Sequence, residues 1–161
     1  KDTAVDGAFA ATLELSDLDG SDGFVINGIA EYDRSGYSVS SAGDINGDGI
    51  DDLVIGAPDA TPDGNYYAGA SYVVFGKNTT VNGNFDSTLD LSNLTGTNGF
   101  VIEGVTEYDF SGYSVSSAGD INGDGIDDLI IGAPYAESAG ESYVVFGTTE
   151  AWSASIDLDM L

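Results

Sequence analysis

The chain has 161 residues, of which 42% are hydrophobic and 23 are glycine, and it carries a formal net charge of −25. So acidic a chain offers no basic surface to phosphates, which excludes nucleic acid as a partner, and the absence of His and Cys excludes imidazole- and thiolate-based sites. No apolar run approaches the roughly 20 residues that cross a bilayer, so we expect no membrane insertion.

Two near-identical copies of one unit organise the chain. Residues 23–58 align without a gap on residues 99–134 and differ at five of 36 positions. The string Ser-Tyr-Val-Val-Phe-Gly follows at residues 71–76 and again at 142–147, so the loop of the first copy carries five extra residues. Repeats of this kind are supersecondary units that bury their apolar faces by stacking on neighbouring units.

The periodicity inside each unit is that of β-strands. Residues 37–40 alternate between polar and apolar, whereas 53–55 and 72–75 are continuous apolar runs bounded by Gly, as is typical of strands buried on both faces. We expect strands at residues 37–45, 52–58, 68–76 and 89–94, the last continuing towards 100–104. Four antiparallel strands in each repeat predict an all-β fold of two propeller-type blades.

A shorter segment occurs three times, at residues 11–18, 87–94 and 154–161. Its positions predict three divisions of the chain. These are an outer strand segment of a preceding or shared blade at 1–34, a first repeat at 35–110, and a second repeat with the start of a third unit at 111–161.

The loop between the first two strands of each unit predicts a metal site. Residues 44–52 and 120–128 both read Asp-Ile-Asn-Gly-Asp-Gly-Ile-Asp-Asp. Oxygen-bearing side chains at positions 1, 3, 5 and 9, a Gly at 6 and an inward carbonyl at 7 suit Ca²⁺, and hard oxygen donors disfavour transition metals. The predicted ligands of the two calcium sites are Asp44, Asn46, Asp48, Ile50, Asp52, Asp120, Asn122, Asp124, Ile126 and Asp128.

Two other interpretations of these loops compete with a calcium site. An Asp-rich turn can be held by side-chain hydrogen bonds to the backbone and bind nothing. An EF-hand or dockerin-type loop would end in an acidic ligand at position 12 and lead into a helix. Position 12 is Ile55 or Ile131, within an apolar β-run, so we predict a calcium loop that joins two strands.

Three motifs around these loops carry a family resemblance. Phe-Gly stands at residues 75–76 and 146–147, and Gly-Ala-Pro follows each aspartate loop at 56–58 and 132–134. Together they resemble the FG-GAP repeats of the integrin α-subunit β-propeller. The resemblance implies calcium-stabilised blades in an extracellular or cell-surface adhesion protein, with structural Ca²⁺ on the ten residues named above. Closure of a propeller by two repeats alone stays open.

The function that we expect is structural or adhesive and not enzymatic. The alternative is a non-catalytic module of a larger secreted enzyme, for which carbohydrate binding is one use. The partners that we expect are further copies of the chain, a cell-surface protein or a glycan. Asn78 and Asn93 each begin an Asn-x-Thr pattern for N-glycosylation.

Self-association or membership of a longer tandem array is expected from the order of the segments. The chain begins with an outer segment that lacks preceding inner strands, and it stops before a third Gly-Phe-Val-Ile string. Unpaired strand edges invite pairing with another chain, and a repeated head-to-tail contact gives a ring or a filament. We expect residues 11–29 of one chain to complete the blade that residues 153–161 of another end.

Overall fold

The computed structural model describes residues 12–160, and its regular structure is almost all β-strand. The strands are β1 (Val25–Asn27), β2 (Ser38–Gly43), β3 (Asp52–Ala57), β4 (Ala70–Val74), β5 (Thr88–Asp90), β6 (Gly99–Glu103), β7 (Ser114–Gly119), β8 (Asp128–Ala133), β9 (Glu141–Val145) and β10 (Ser155–Asp157). Between them lie the helix α1 (Thr79–Asn82) and 3₁₀ turns at Leu15–Asp17, Pro62–Gly64, Leu91–Asn93, Ala136–Ser138 and Leu158–Met160. No helix in this part of the chain is long and apolar enough to cross a membrane.

Some of the sequence predictions fall on residues that the structure does not describe. Residues 1–11, which are part of the predicted outer segment at 1–34, lie outside the described residues, as does Leu161.

The described strands form three sheets. A five-stranded sheet has the order β10-β6-β4-β3-β2, a three-stranded sheet has the order β7-β8-β9, and β1 pairs with β5 in a two-stranded sheet. Within the first two, β2-β3-β4-β6 and β7-β8-β9 are antiparallel, as the sequence predicts. The all-β class is thus confirmed, but neither large sheet has the four strands that were predicted.

The fourth predicted strand is where the sequence interpretation was wrong. Residues 89–94 do not continue towards 100–104; β5 pairs in parallel with β1, and β6 is a separate strand that lies beside β4. The chain turns between them, because Gly96 at φ 85° donates its N–H to the Gly99 carbonyl at 2.8 Å. The Asn98 side chain accepts the N–H of Thr95 at 2.9 Å, so polar turn residues interrupt the run.

The short strand that follows each repeat pairs with the strand that precedes the same repeat. β10 pairs in parallel with β6, and Ile156 lies opposite Ile102. β5 pairs with β1 in the same register, so that Leu89 lies opposite Ile26. The two-stranded sheet is therefore equivalent to the β6–β10 edge of the five-stranded sheet.

The main core lies between the five-stranded and three-stranded sheets. Its buried residues are Ala42, Ile45, Val54, Val73, Phe100, Ile102, Val115, Leu129, Ile131, Val145 and Leu158. The ring of Phe100 stacks on Trp152, with centroids 4.1 Å apart and planes 6° from parallel. Burial of this apolar surface, at roughly 25 cal/mol per Å², joins the two repeats into one unit.

A second core covers the opposite face of the five-stranded sheet. Ile55, Tyr72, Val74 and Leu91 are buried there, and Ile26 and Leu89 of the two-stranded sheet pack against them. The three sheets are therefore stacked in layers, as expected for repeats that bury their apolar faces on one another.

A glycine of β3 lies directly against the backbone that leads into β7 of the second repeat. A Cβ at Gly56 would stand 2.0 Å from the carbonyl oxygen of Gly112, which is backbone of the second repeat. At the equivalent Gly132, the nearest atom would be the Ser114 Oγ at 2.4 Å, and that side chain can rotate away. The equivalent glycines are therefore constrained differently, Gly56 by backbone of the second repeat and Gly132 by a serine side chain.

We expect Gly56→Ala to lower the free energy of unfolding by about 1–3 kcal/mol through overpacking against fixed backbone. Gly132→Ala is the matched control, and it should cost clearly less because only a side chain must move. Urea denaturation of both variants measures the difference. An equal loss of unfolding free energy in the two variants would contradict the interpretation that backbone contact at Gly56 leaves no room for a Cβ.

Candidate calcium loops

The two predicted metal loops occupy equivalent places in the fold. Each joins the first and second strands of its repeat, β2 to β3 and β7 to β8, after a bulge at Gly43 or Gly119. At position 6, Gly49 has φ 85° and Gly125 has φ 90°, a backbone conformation that side chains with a Cβ rarely adopt. The predicted sharp turn is present in both loops.

In the first loop, the side chains at positions 1, 3 and 5 are held by backbone donors. The carboxylate of Asp44 accepts the N–H groups of Asp48 at 2.9 Å and Gly49 at 2.8 Å. Asn46 Oδ1 accepts the N–H of Asp48 at 2.8 Å, and Asp48 Oδ1 accepts that of Ile50 at 2.9 Å. Each oxygen has a second lone pair, so these bonds orient the side chains without using up their acceptor capacity.

The second loop repeats this pattern. Asp120 accepts the N–H groups of Asp124 at 3.0 Å and Gly125 at 2.9 Å. Asn122 Oδ1 accepts the N–H of Asp124, and Asp124 Oδ1 accepts that of Ile126, both at 2.9 Å. Two further bonds are seen in the second loop alone: the Gly123 N–H donates to Asp120 Oδ1 at 2.7 Å, and Asn122 Nδ2 donates to Asp124 Oδ2 at 2.9 Å. Identical sequences therefore fold into the same turn at two places with different neighbours, but with small differences in side-chain hydrogen bonding.

The aspartate at position 9 is the buried member of each loop. Asp52 is 1% exposed and accepts the N–H of Ile45 at 3.1 Å and that of Gly76 at 2.8 Å. Asp128 is 0% exposed and accepts the N–H groups of Ile121 and Gly147, both at 2.9 Å. Position 9 thus binds the start of its own loop to the end of the third strand of its repeat.

This contact explains the glycine of the Phe-Gly motif. A Cβ at Gly76 would stand 2.4 Å from the carbonyl oxygen of Asp51, and one at Gly147 would stand 2.3 Å from that of Asp127. Only a residue without a side chain brings its N–H so close to the buried carboxylate. The glycine of the Phe-Gly motif therefore allows the backbone after the third strand to bind the buried aspartate of the loop.

Burial makes the carboxyl of Asp52 a weak acid. Desolvation raises its pKa to about 6, against the lowering effect of the Gly76 and Ile45 N–H groups, and the charges of Asp48 and Asp44 raise it further. Carboxylates of the same loop therefore lie near enough to repel one another. A cation in the loop would offset both the burial and the repulsion.

The donor atoms of each loop are of the type that a hard cation prefers, but they are not gathered into a preformed cluster. Among residues 12–160, no group of three or more His, Cys, Asp or Glu side chains is assembled as a metal site. Each loop instead offers three carboxylates, one amide oxygen and the carbonyl of Ile50 or Ile126. Binding would need its carboxylates to turn towards one another, which their charges oppose unless a cation is present.

The structure also shows a contact between the two loops that the sequence does not predict. Asp127 Oδ2 accepts the N–H of Asp44 at 2.9 Å, and the Asp44 carbonyl accepts the N–H of Asp127 at 3.3 Å. Thr148 donates its N–H to the carbonyl of Ile45 at 3.0 Å. Asp127 stands at position 8, which is an aspartate in both loops. The stacking of the layers is what brings Asp127 into contact with the first loop.

The two residues of the glycosylation pattern lie apart from the loops. Asn78 caps α1, and its Oδ1 accepts the N–H of Thr80 at 3.1 Å. Asn93 ends the 3₁₀ turn Leu91–Asn93. Both side chains are exposed, so their use as acceptors stays a prediction.

Comparison with known proteins finds a family match in both repeats. The sequence model of the FG-GAP repeat matches residues 35–74 and 111–145. Integrin alpha-5 of Xenopus laevis is 36% identical over 107 residues, or 65% of this chain and 9% of its own length. Integrin alpha ina-1 of Caenorhabditis elegans is 34% identical over 133 residues, or 79% of this chain and 11% of its own length.

A relative of another kind matches equally well. Phosphatidylinositol-glycan-specific phospholipase D of Bos taurus is 33% identical over 129 residues, which cover 77% of this chain and 14% of the phospholipase. The chain thus spans a seventh or less of the length of the curated relatives that it matches.

In metal-free protein, the raised pKa of Asp52 should make stability depend on pH. A carboxyl that keeps its proton longer in the folded than in the unfolded state makes stability fall as pH rises from about 4 to about 6. We expect a loss of about 2–3 kcal/mol over this range in chelator, measured by urea denaturation.

The matched control is Asp52→Asn, which removes the titrating group and should remove this part of the pH dependence. The other carboxyls remain in both proteins, so the difference between the two pH profiles isolates Asp52. Parallel profiles would contradict the assignment.

Proposed function

Because this chain is an FG-GAP repeat protein, we propose that it is a calcium-stabilised structural repeat module of a larger extracellular or cell-surface protein. The observation that carries the proposal is the pair of identical loops, each anchored on a buried aspartate. One Ca²⁺ in each loop would be held by Asp44, Asn46, Asp48, Asp52 and the carbonyl of Ile50, and by their counterparts 76 residues later.

The electrostatics support a structural use of the ion. The chain carries 28 acidic against 3 basic residues, so the compact state repels itself. Two of the acids, Asp52 and Asp128, are buried between the loop and the sheet. A divalent cation at each of these places offsets the repulsion where it costs most and fixes the loop on the strands that it joins.

The sheet order supports an assignment of the repeats to propeller-type blades. β2, β3, β4 and β6 would make one blade of four antiparallel strands, to which β10 adds a parallel edge. β7, β8 and β9 would make the first three strands of the next blade. The layered cores on both faces of the five-stranded sheet are what neighbouring blades require.

We place no catalysis in this module. His and Cys are absent, and the carboxylates of the loops are duplicated in register, which suits a repeated structural role. The matches to integrin α-subunits favour an adhesive protein at the cell surface, whose partners include another protein or further copies of the chain.

The second candidate is an appendage of a secreted enzyme, favoured by the match to a phospholipase D. The module would then stabilise or position the enzyme, or bind a carbohydrate. Binding of the purified chain to a glycan array, in Ca²⁺ and in chelator, separates a carbohydrate-binding module from a purely structural one.

Calcium should stabilise the fold and bind at two ions per chain. An ion that binds only the folded state adds roughly 2.7 kcal/mol for each site at a hundredfold excess over Kd. We therefore expect a higher melting temperature in millimolar Ca²⁺ than in chelator. Asp48→Ala and Asp124→Ala should each lower the stoichiometry measured by calorimetric titration from two to one.

The matched control is Asp86→Ala, which removes an exposed acid outside the loops and should leave the stoichiometry unchanged. Coincident melting curves with and without Ca²⁺ would mean that the loops are turns held by hydrogen bonds alone. A double variant of Asp48 and Asp124 that still binds two ions would place the sites elsewhere.

A further inference from the structure

One residue of the second loop lies between two of its proposed ligands and also contacts the first loop. Asp127 stands between Ile126 and Asp128, which supply the carbonyl at position 7 and the carboxylate at position 9. Asp127 Oδ2 accepts the N–H of Asp44, the residue at position 1 of the first loop, at 2.9 Å. Asp127 therefore joins a ligand of the first site to the segment that carries two ligands of the second.

The side chain of Asp127 fits closely against the backbone that enters the first loop. Gly43, directly before Asp44, has φ 68°, and a Cβ there would stand 2.2 Å from Oδ2 and 2.6 Å from Cβ of Asp127. Gly119 holds the equivalent place before the second loop at φ 66°, and a Cβ there would meet no described atom within 4 Å. The glycine before the first loop therefore also makes room for this carboxylate.

A second path of hydrogen bonds joins the buried aspartates of the two loops. Asp128 Oδ1 accepts the N–H of Gly147 at 2.9 Å, and the next residue, Thr148, donates its N–H to the carbonyl of Ile45 at 3.0 Å. Ile45 donates its own N–H to Asp52 Oδ2 at 3.1 Å. The position-9 carboxylates of the two loops are thus three hydrogen bonds apart along this path.

These contacts lie between the two repeats and not at either end of the chain. Ile45 is fully buried in the main core, between the five-stranded and three-stranded sheets. Both sides of the contact come from neighbouring repeats of one chain, so further repeats before or after them would not replace it. The contact of the loops is therefore part of the interface by which one repeat stacks on the next.

Each loop must become more ordered before it can hold an ion. Within residues 12–160 no three acidic side chains are gathered as a metal site, so the carboxylates have to turn towards one another. A second loop that is ordered by an ion holds the backbone of residues 126–128 in place, and with it the bond from Asp127 to Asp44. The first loop then has less conformational freedom to lose when it binds its own ion.

We propose that Asp127 couples the two calcium loops, so that binding of Ca²⁺ in either loop raises the affinity of the other. Asp127 is a positioning residue for Asp44 and does not need to touch an ion. The coupling is reciprocal, because the factor by which one site changes the affinity of another holds in both directions. Repulsion between two ions opposes it, so the positive sign is a specific expectation. This inference rests on the proposed calcium function and adds the dependence of one site on the other.

The coupling is measured by calorimetric titration of Ca²⁺ into the unsubstituted chain and into two single-site variants. Asp124→Ala leaves the first loop to bind alone, and Asp48→Ala leaves the second loop to bind alone. The coupling factor is the association constant of the unsubstituted chain for two ions, divided by the product of the two single-site constants. We expect a factor of at least about five.

The identical sequence of the first loop supplies a matched control. Asp51 is the position-8 aspartate of that loop and is exposed, whereas Asp127 is half-buried against the first loop. The three titrations are repeated in chains that also carry Asp127→Ala or Asp51→Ala. Both substitutions remove one charge from the same turn, but only Asp127→Ala should bring the coupling factor to about one.

A conservative variant separates positioning from a role in folding alone. Asp127→Asn keeps an oxygen that can accept the Asp44 N–H, and its charge is the same as that of Asp127→Ala. It should therefore restore most of the coupling that Asp127→Ala removes. Urea denaturation in chelator confirms that each variant is folded before it is titrated.

A pair of glycine variants tests the contact from the side of the first loop. Gly43→Ala places a Cβ where the carboxylate of Asp127 lies, so it should lower the coupling factor. Gly119→Ala puts a side chain on a backbone of nearly the same φ, but its Cβ meets nothing within 4 Å. The coupling factor of Gly119→Ala should equal that of the unsubstituted chain.

The outcomes separate this inference from the calcium function on which it rests. Two bound ions with a coupling factor of one in the unsubstituted chain would overturn the coupling and leave the calcium sites standing. A factor that survives both Asp127→Ala and Gly43→Ala would overturn the role of Asp127. An unsubstituted chain that binds fewer than two ions would overturn the proposed function and the coupling with it.

Discussion

The fold depends on a buried carboxylate in each repeat. Asp52 accepts one N–H from the start of its loop and another from the Phe-Gly glycine at the end of β4, and Asp128 does the same in the second repeat. A buried acceptor that lost these donors would be costly, so the loop and the strand end are held together. The glycine is required because its backbone lies against the backbone of the loop.

This arrangement links the loops to the stacking of the sheets. The first loop contacts the second through Asp127, and the residues that follow each loop enter the core between the five-stranded and three-stranded sheets. Ile45, at position 2 of the first loop, is itself fully buried in that core. An ion bound in a loop would therefore act on the packing of both repeats and not only on a surface turn.

Repetition of sequence does not give repetition of environment. Val73 and Val144 belong to identical strings, yet one is inside the five-stranded sheet and the other lies at an edge. Gly56 faces fixed backbone of the next layer, whereas Gly132 faces a serine side chain. Each repeat carries the same surfaces for both neighbours, and the position in the stack decides which of them are covered.

The sequence by itself determined the strands of residues 38–57, the bulged loops and the repeat, because alternation, glycine turns and Asx hydrogen bonds are local. It also placed the ten candidate ligands in two identical loops. It could not place Thr88–Asp90, whose apolar alternation suits any neighbouring edge, and which pairs with β1 more than 60 residues away. The contact of Asp127 with Asp44 was likewise decided only by tertiary structure, since it depends on which layers meet.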